Sequence, residues 1–195
     1  MGAVSPSKNG EHTYQVDGHT IKDTTTSSFE PFNVAKSSLM SFEEKQRAEV
    51  KTRLGTFAHE LMDAMIKSGS TSVEELKGKD SKLYDSIINN VSQSFATSKT
   101  GVQDVLGDNF NEKVNEYIKR AEDVRAAYSQ HKLFDSGIVT SEKAVAYTLG
   151  EKTFAGTADL FGFKQNDDGN GFQMFVGDQK FSQDNSAKTF TERLT

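Results

Sequence analysis

The hydrophobic period of this chain changes once. From Val50 to Tyr128, apolar residues recur every three or four positions. From Ile138 to Phe181 they fall into short runs and alternations separated by Gly150-Glu151 and by the polar stretch Gln165 to Gly171. Strands joined this closely pair with their sequence neighbours, so the local sheet is expected to be antiparallel. Helices followed by a meander define an α/β or α+β class and exclude both a helical bundle and a β-sandwich. A length of 195 residues fits one domain.

The boundaries follow from caps and turns. Met1 to Glu11 is rich in Ser, Gly, Asn and Lys and predicts a disordered tail, leaving residues 12–195 as the single domain. Tyr14 to Lys22 predicts a hairpin turned by Asp17-Gly18. Ser41 and Glu44 form a capping box that opens a helix over Ser41–Lys67, with Val50, Leu54, Phe57, Ala58, Leu61, Met62 and Met65 on its apolar face. Gly55 within it predicts close approach by a neighbouring element. A second box, Ser72 and Glu75, opens a short helix, and further helices are expected over Asp80–Ser98 and Asn111–His131, separated by a break at Thr100–Asn109. The last of these carries Arg125 on its polar face. Strands are expected over Ile138–Leu149, Phe154–Lys164 and Phe172–Phe181.

Composition removes several functions. The chain has no cysteine, which excludes disulfides, iron–sulfur clusters, thiolate zinc sites and a cysteine nucleophile. It has no apolar run of membrane-spanning length, and its first residues are polar, so neither membrane association nor secretion is expected and the cytoplasm is the expected compartment. A net charge of -5 argues against coating nucleic acid by bulk charge, while leaving room for acidic metal ligands beside a local basic rim. Neither a phosphate-binding Gly-x-x-x-x-Gly-Lys-[Ser/Thr] loop nor a Gly-x-Ser-x-Gly nucleophile elbow occurs.

Chemistry concentrates in the meander. Asp159 stands in Gly156-Thr157-Ala158-Asp159-Leu160, and Asp178 and Lys180 stand two apart in Gly177-Asp178-Gln179-Lys180. The connection between those strands is short enough to bring Asp159 toward Asp178. Two facing carboxylates repel unless a cation sits between them, and magnesium or manganese suits hard oxygen donors. A lysine beside such an ion can orient a water and offset phosphate charge. The plain alternative is a set of solvated strand residues. His59, in Gly55-Thr56-Phe57-Ala58-His59-Glu60, is either a packing residue or a third ligand. On a helix Asp63 lies about 40° around from His59 and Glu60 about 100°, which makes Asp63 the closer companion. Glu142 is a further candidate, as ligand, supporting group or surface residue.

The ordered series Gly55-Thr-x-x-His59, Glu142, Gly156-Thr-x-Asp159-Leu and Gly177-Asp178-Gln179-Lys180 resembles the RecB-like branch of the PD-(D/E)xK nuclease superfamily. Val16-Asp17-Gly18 followed by Thr24-Thr25-Thr26 is similar to the opening of phage-type and mitochondrial-type exonucleases of that branch. The resemblance spans Tyr14 to Lys180. It implies a restriction-endonuclease-like core, with a mixed central sheet flanked by helices and an antiparallel meander around the active site. It implies Asp159, Asp178, Lys180 and Glu142 as catalytic residues. The metal, Mg2+ or Mn2+, would be held by His59, Asp159, Asp178 and the backbone carbonyl of Gln179. The implied reaction is DNA cleavage to 5′-phosphate and 3′-hydroxyl ends, in recombination, repair or phage replication.

One family feature is missing. A helix with a Gln-x-x-x-Tyr motif usually follows the lysine, whereas Ser182 to Thr195 holds one glutamine, Gln183, and no tyrosine. A fragment, a short variant, or a fold that binds DNA or protein without cutting are the readings this leaves. The DNA substrate would be gripped by Lys51, Arg53, Lys36 and Lys188, although Lys36 to Arg53 also reads as a solvated helix face interspersed with Glu43, Glu44 and Glu49. A homo-oligomer or a replication or recombination partner is the expected company.

Overall fold

The computed structural model describes residues 4–6, 13–22, 38–98, 101, 102, 106, 109–130, 137–166, 168–177, 179 and 181, with the backbone alone for residues 4–6 and 147. Its elements are β1 (Val4–Pro6), β2 (Thr13–Val16), β3 (His19–Lys22), α1 (Phe42–Ser68), α2 (Val73–Lys79), α3 (Ser81–Ala96), α4 (Phe110–Gln130), β4 (Gly137–Leu149), β5 (Lys152–Gln165) and β6 (Phe172–Gly177).

Local chemistry explains the helix ends. The Ser41 hydroxyl accepts from the Glu44 N–H while the Glu44 carboxylate accepts from the Ser41 N–H, the full capping box. At the other end Gly69 takes a left-handed φ of 64°, and Gly69 and Ser70 donate to the carbonyls of Ile66 and Met65. Ser72 caps α2 through the Glu75 N–H, but the Glu75 carboxylate turns instead to the Thr71 N–H and hydroxyl. Asp80 caps α3 through the Leu83 N–H.

The buried face of α1 organises the core. Leu54, Phe57, Leu61, Met62 and Met65 pack with Val91 and Phe95 of α3 and with Val114, Tyr117 and Ala121 of α4. Val102 and Leu106 also join this core, inside the stretch expected to be only a break. Arg125 corrects its assignment to a polar face. It is 4% exposed, and its Nε donates to the Ser70 carbonyl at 3.0 Å. The turn after α1 presents a buried acceptor there, and a guanidinium satisfies it.

Among the described residues two three-stranded sheets form, ordered β1-β2-β3 and β4-β5-β6. Every pairing among the described residues is antiparallel, so the meander is as expected while a mixed sheet is not present among them. Asp17 (φ 49°) and Gly18 (φ 82°) make the β2–β3 turn with two left-handed residues, the geometry that matches hairpin twist. Val4–Pro6 pairs with β2, although composition predicted disorder for that segment. The Tyr14 hydroxyl meets Thr157 Oγ1 at 2.7 Å and ties the first sheet to the second. At Gly55 a Cβ would meet nothing within 4 Å among the described residues, so none of them makes the close approach expected there. At Gly162 a Cβ would overlap the Ile138 carbonyl and lie 2.7 Å from the Phe175 ring.

Candidate metal centre

Three side chains from three elements converge where α1 crosses the long hairpin. His59 comes from α1, Glu142 from β4 and Asp159 from β5. One ligand atom from each lies within 4.8 Å of the others. His59 Nδ1 is 3.8 Å from Asp159 Oδ2. The same carboxylate oxygen accepts the backbone N–H of Gln179 at 2.5 Å, which fixes its direction. The His59 ring stands perpendicular to the Phe181 ring at 5.0 Å between centroids, which sets it against the core cluster while Nδ1 lies toward Asp159.

The sheet delivers the two carboxylates to one place. Ser141 pairs with Leu160 and Lys143 with Ala158, so the register leaves Glu142 facing Asp159. Glu142 itself has a φ of 49°. A side chain with a Cβ rarely adopts that backbone, and doing so costs on the order of 1–2 kcal/mol.

Electrostatics follow from that crowding. Glu142 keeps much of its surface exposed, yet its carboxyl is shielded from water. That desolvation, and then the negative charges of Asp159 and Asp63, raise its pKa above the ordinary carboxylate value.

Asp63 serves differently from the companion role its helix position offered. Its Oδ1 accepts the Ser141 hydroxyl at 2.5 Å and its Oδ2 accepts Lys67 Nζ at 2.7 Å. Glu60 faces away, into a cleft of about 330 Å3 between α1 and α3 that Thr52, Arg53, Thr56 and Asn90 also line. Burial there raises the Glu60 pKa, partly opposed by a hydrogen bond from Asn90. Of the residues singled out in the sequence, His59, Glu142 and Asp159 are the ones brought together. Ser141 was not singled out, because a lone serine in a strand carries no signal of its own.

The remaining candidates divide. Gln179 is 4% exposed and reaches the site through its N–H. Asp178 and Lys180, its chain neighbours, lie outside the described residues, as do Lys36 and Lys188. Lys51 is exposed on α1. Arg53 is bound to Glu49 at 2.8 Å through Nε, and Glu49 also accepts the Ser98 hydroxyl, so this stretch of α1 is laced by its own ion pairs.

Comparison of the chain with family models, with curated proteins and with solved structures returns no match. The molecule is a mixed helix-and-sheet protein with antiparallel sheets and a His–Glu–Asp cluster at the crossing of α1 and the hairpin. None of its described helices is long and apolar enough to cross a membrane.

Proposed function

We propose that this chain is a deoxyribonuclease dependent on Mg2+ or Mn2+, built on a restriction-endonuclease-like core and acting as an exonuclease. The observation that carries the reading is the convergence of His59, Glu142 and Asp159 within 4.8 Å. Around a six-coordinate ion with ligands about 2.1 Å away, adjacent ligands stand about 3 Å apart and opposite ones about 4.2 Å, so at least two of the three separations must shorten toward about 3 Å for all three side chains to hold one ion. Two carboxylates and one imidazole are a donor set that Mn2+ accepts readily and Mg2+ accepts through the oxygens. The pKa of Glu142 is raised first by desolvation and then by the charges of Asp159 and Asp63, and a cation would offset those charges.

The ordered motif supplies the rest of the reading. By the resemblance, Asp178 would add a carboxylate and Lys180 would orient the attacking water. A divalent ion held by His59, Glu142 and Asp159 would supply Lewis-acid polarisation of the phosphodiester. His59, braced on Phe181, and Asp159, braced by the Gln179 N–H, keep the ligand side of the site in place before DNA arrives. Water adds to phosphorus and the 3′ oxygen leaves, giving 5′-phosphate and 3′-hydroxyl ends.

The test is cleavage of end-labelled linear and circular DNA, single- and double-stranded, with Mn2+, Mg2+ or EDTA. Metal-dependent products are expected from linear DNA, with circles spared, and they should vanish in Asp159→Ala and Asp178→Ala. DNA retained but uncut under every metal would make the chain a binding module instead. Undiminished cleavage by Asp178→Ala would reject the proposed site.

A further inference from the structure

We infer that Asp63 and Ser141 form a positioning pair that locks α1 onto β4 and thereby sets the geometry of the metal ligands on both elements. This inference rests on the proposed metal site and adds two residues to it. Asp63 follows His59 by four positions on α1, so the two side chains leave the same face one turn apart. Ser141 immediately precedes Glu142 on β4. The hydrogen bond between Ser141 Oγ and Asp63 Oδ1 is 2.5 Å long and spans 78 residues of sequence.

Its surroundings make that bond costly to lose. Ser141 is 4% exposed, so its hydroxyl has little access to water as a substitute. The other Asp63 oxygen is held by Lys67, which fixes the carboxylate plane. On the sheet, Ser141 pairs with Leu160, itself 1% exposed and next to Asp159. One bond therefore anchors the residue before Glu142 and, through the ladder, the residue after Asp159.

Glu142 has a reason to need such an anchor. Its left-handed φ of 49° is disfavoured, so the backbone at Glu142 has to be held in place by contacts around it. Groups hydrogen-bonded directly to metal ligands change metal affinity by about 10–100-fold when removed, and this pair, which acts through the residue next to Glu142, belongs at the lower end of that range.

The experiment measures Mn2+ binding by calorimetry, with melting temperature alongside, for the full chain and for Ser141→Ala, Asp63→Ala and Asp63→Asn. Ser141→Ala and Asp63→Ala should each weaken Mn2+ about tenfold while the fold persists. The double variant should be no worse than either single, since both remove one bond. Asp63→Asn keeps an oxygen acceptor and should restore most of the affinity, which a role in bulk charge would not predict. Equal Mn2+ affinity in wild type, Ser141→Ala and Asp63→Ala overturns the inference and leaves the metal site standing. Should Ser141→Ala fail to fold, the comparison of Asp63→Ala with Asp63→Asn decides alone, and equal affinities there overturn it. A wild-type chain that binds no Mn2+ overturns the metal site and this inference together.

Discussion

Glu142 stands opposite Asp159 across the β4–β5 ladder with its backbone in the left-handed region. Shielding of its carboxyl from water, together with the charges of Asp159 and Asp63, raises its pKa in the folded chain. A raised carboxyl pKa penalises the folded state once pH exceeds the folded value, and the penalty disappears below the unfolded value near 4.5. Glu142→Gln should therefore melt higher than wild type at pH 7 to 8 without metal, and the gain should fade in acid. With Mn2+ at about a hundredfold excess over its dissociation constant, wild type should gain about 5–10 °C and the variant much less. Thermal melts across pH, with and without Mn2+, check both halves.

Two glycines should respond oppositely to alanine. Gly55 lies in the interior of α1 with open space where a Cβ would go, so Gly55→Ala should stabilise by about 0.5–1 kcal/mol. Gly162 has the Ile138 carbonyl and the Phe175 ring in that space. Gly162→Ala forces strand and ring apart and should cost about 1–3 kcal/mol. Urea denaturation of the two variants measures the contrast.

The Glu75 carboxylate is lowered to about 2, first by the Lys79 ammonium and then by the Thr71 N–H and hydroxyl. A depressed carboxyl pKa stabilises the fold above the unfolded value of 4.5 and loses that contribution as pH falls toward 2. Glu75→Gln should melt lower than wild type at pH 7, and the two should converge between pH 4.5 and 2. Melting curves over that window follow the convergence.

Arg125 donates to the Ser70 carbonyl across 55 residues of sequence, and Ser70 is fully buried. Arg125→Met keeps much of the volume but leaves that acceptor unpaired. A loss of about 1–3 kcal/mol is expected, with the α-helical signal retained. Denaturant titration followed by circular dichroism reads it.

Much of the scaffold was legible because it is written locally. Ser41 with Glu44 and Gly69 bound α1 within a residue or so of expectation, and Asp17-Gly18 marked its hairpin. Arg125 was not, since helical spacing places it among charges while its partner belongs to the turn after α1. Val102 and Leu106 were hidden for the same reason, as core membership is a tertiary fact. At the site, His59 and Asp159 stood out as polar residues within apolar runs. The left-handed backbone of Glu142 and the Asp63–Ser141 bond arise only when α1 meets the hairpin, and no spacing in the sequence encodes that meeting.

The most direct measurement is Mn2+ binding followed by electron paramagnetic resonance, because bound Mn2+ loses the sharp signal of the free ion. Wild type should deplete the free signal at a saturable site, and His59→Gln, Glu142→Gln and Asp159→Asn should each weaken or abolish that depletion while remaining folded. A folded wild-type chain that leaves the free signal intact, or variants that bind Mn2+ as wild type does, would contradict a metal centre at His59, Glu142 and Asp159.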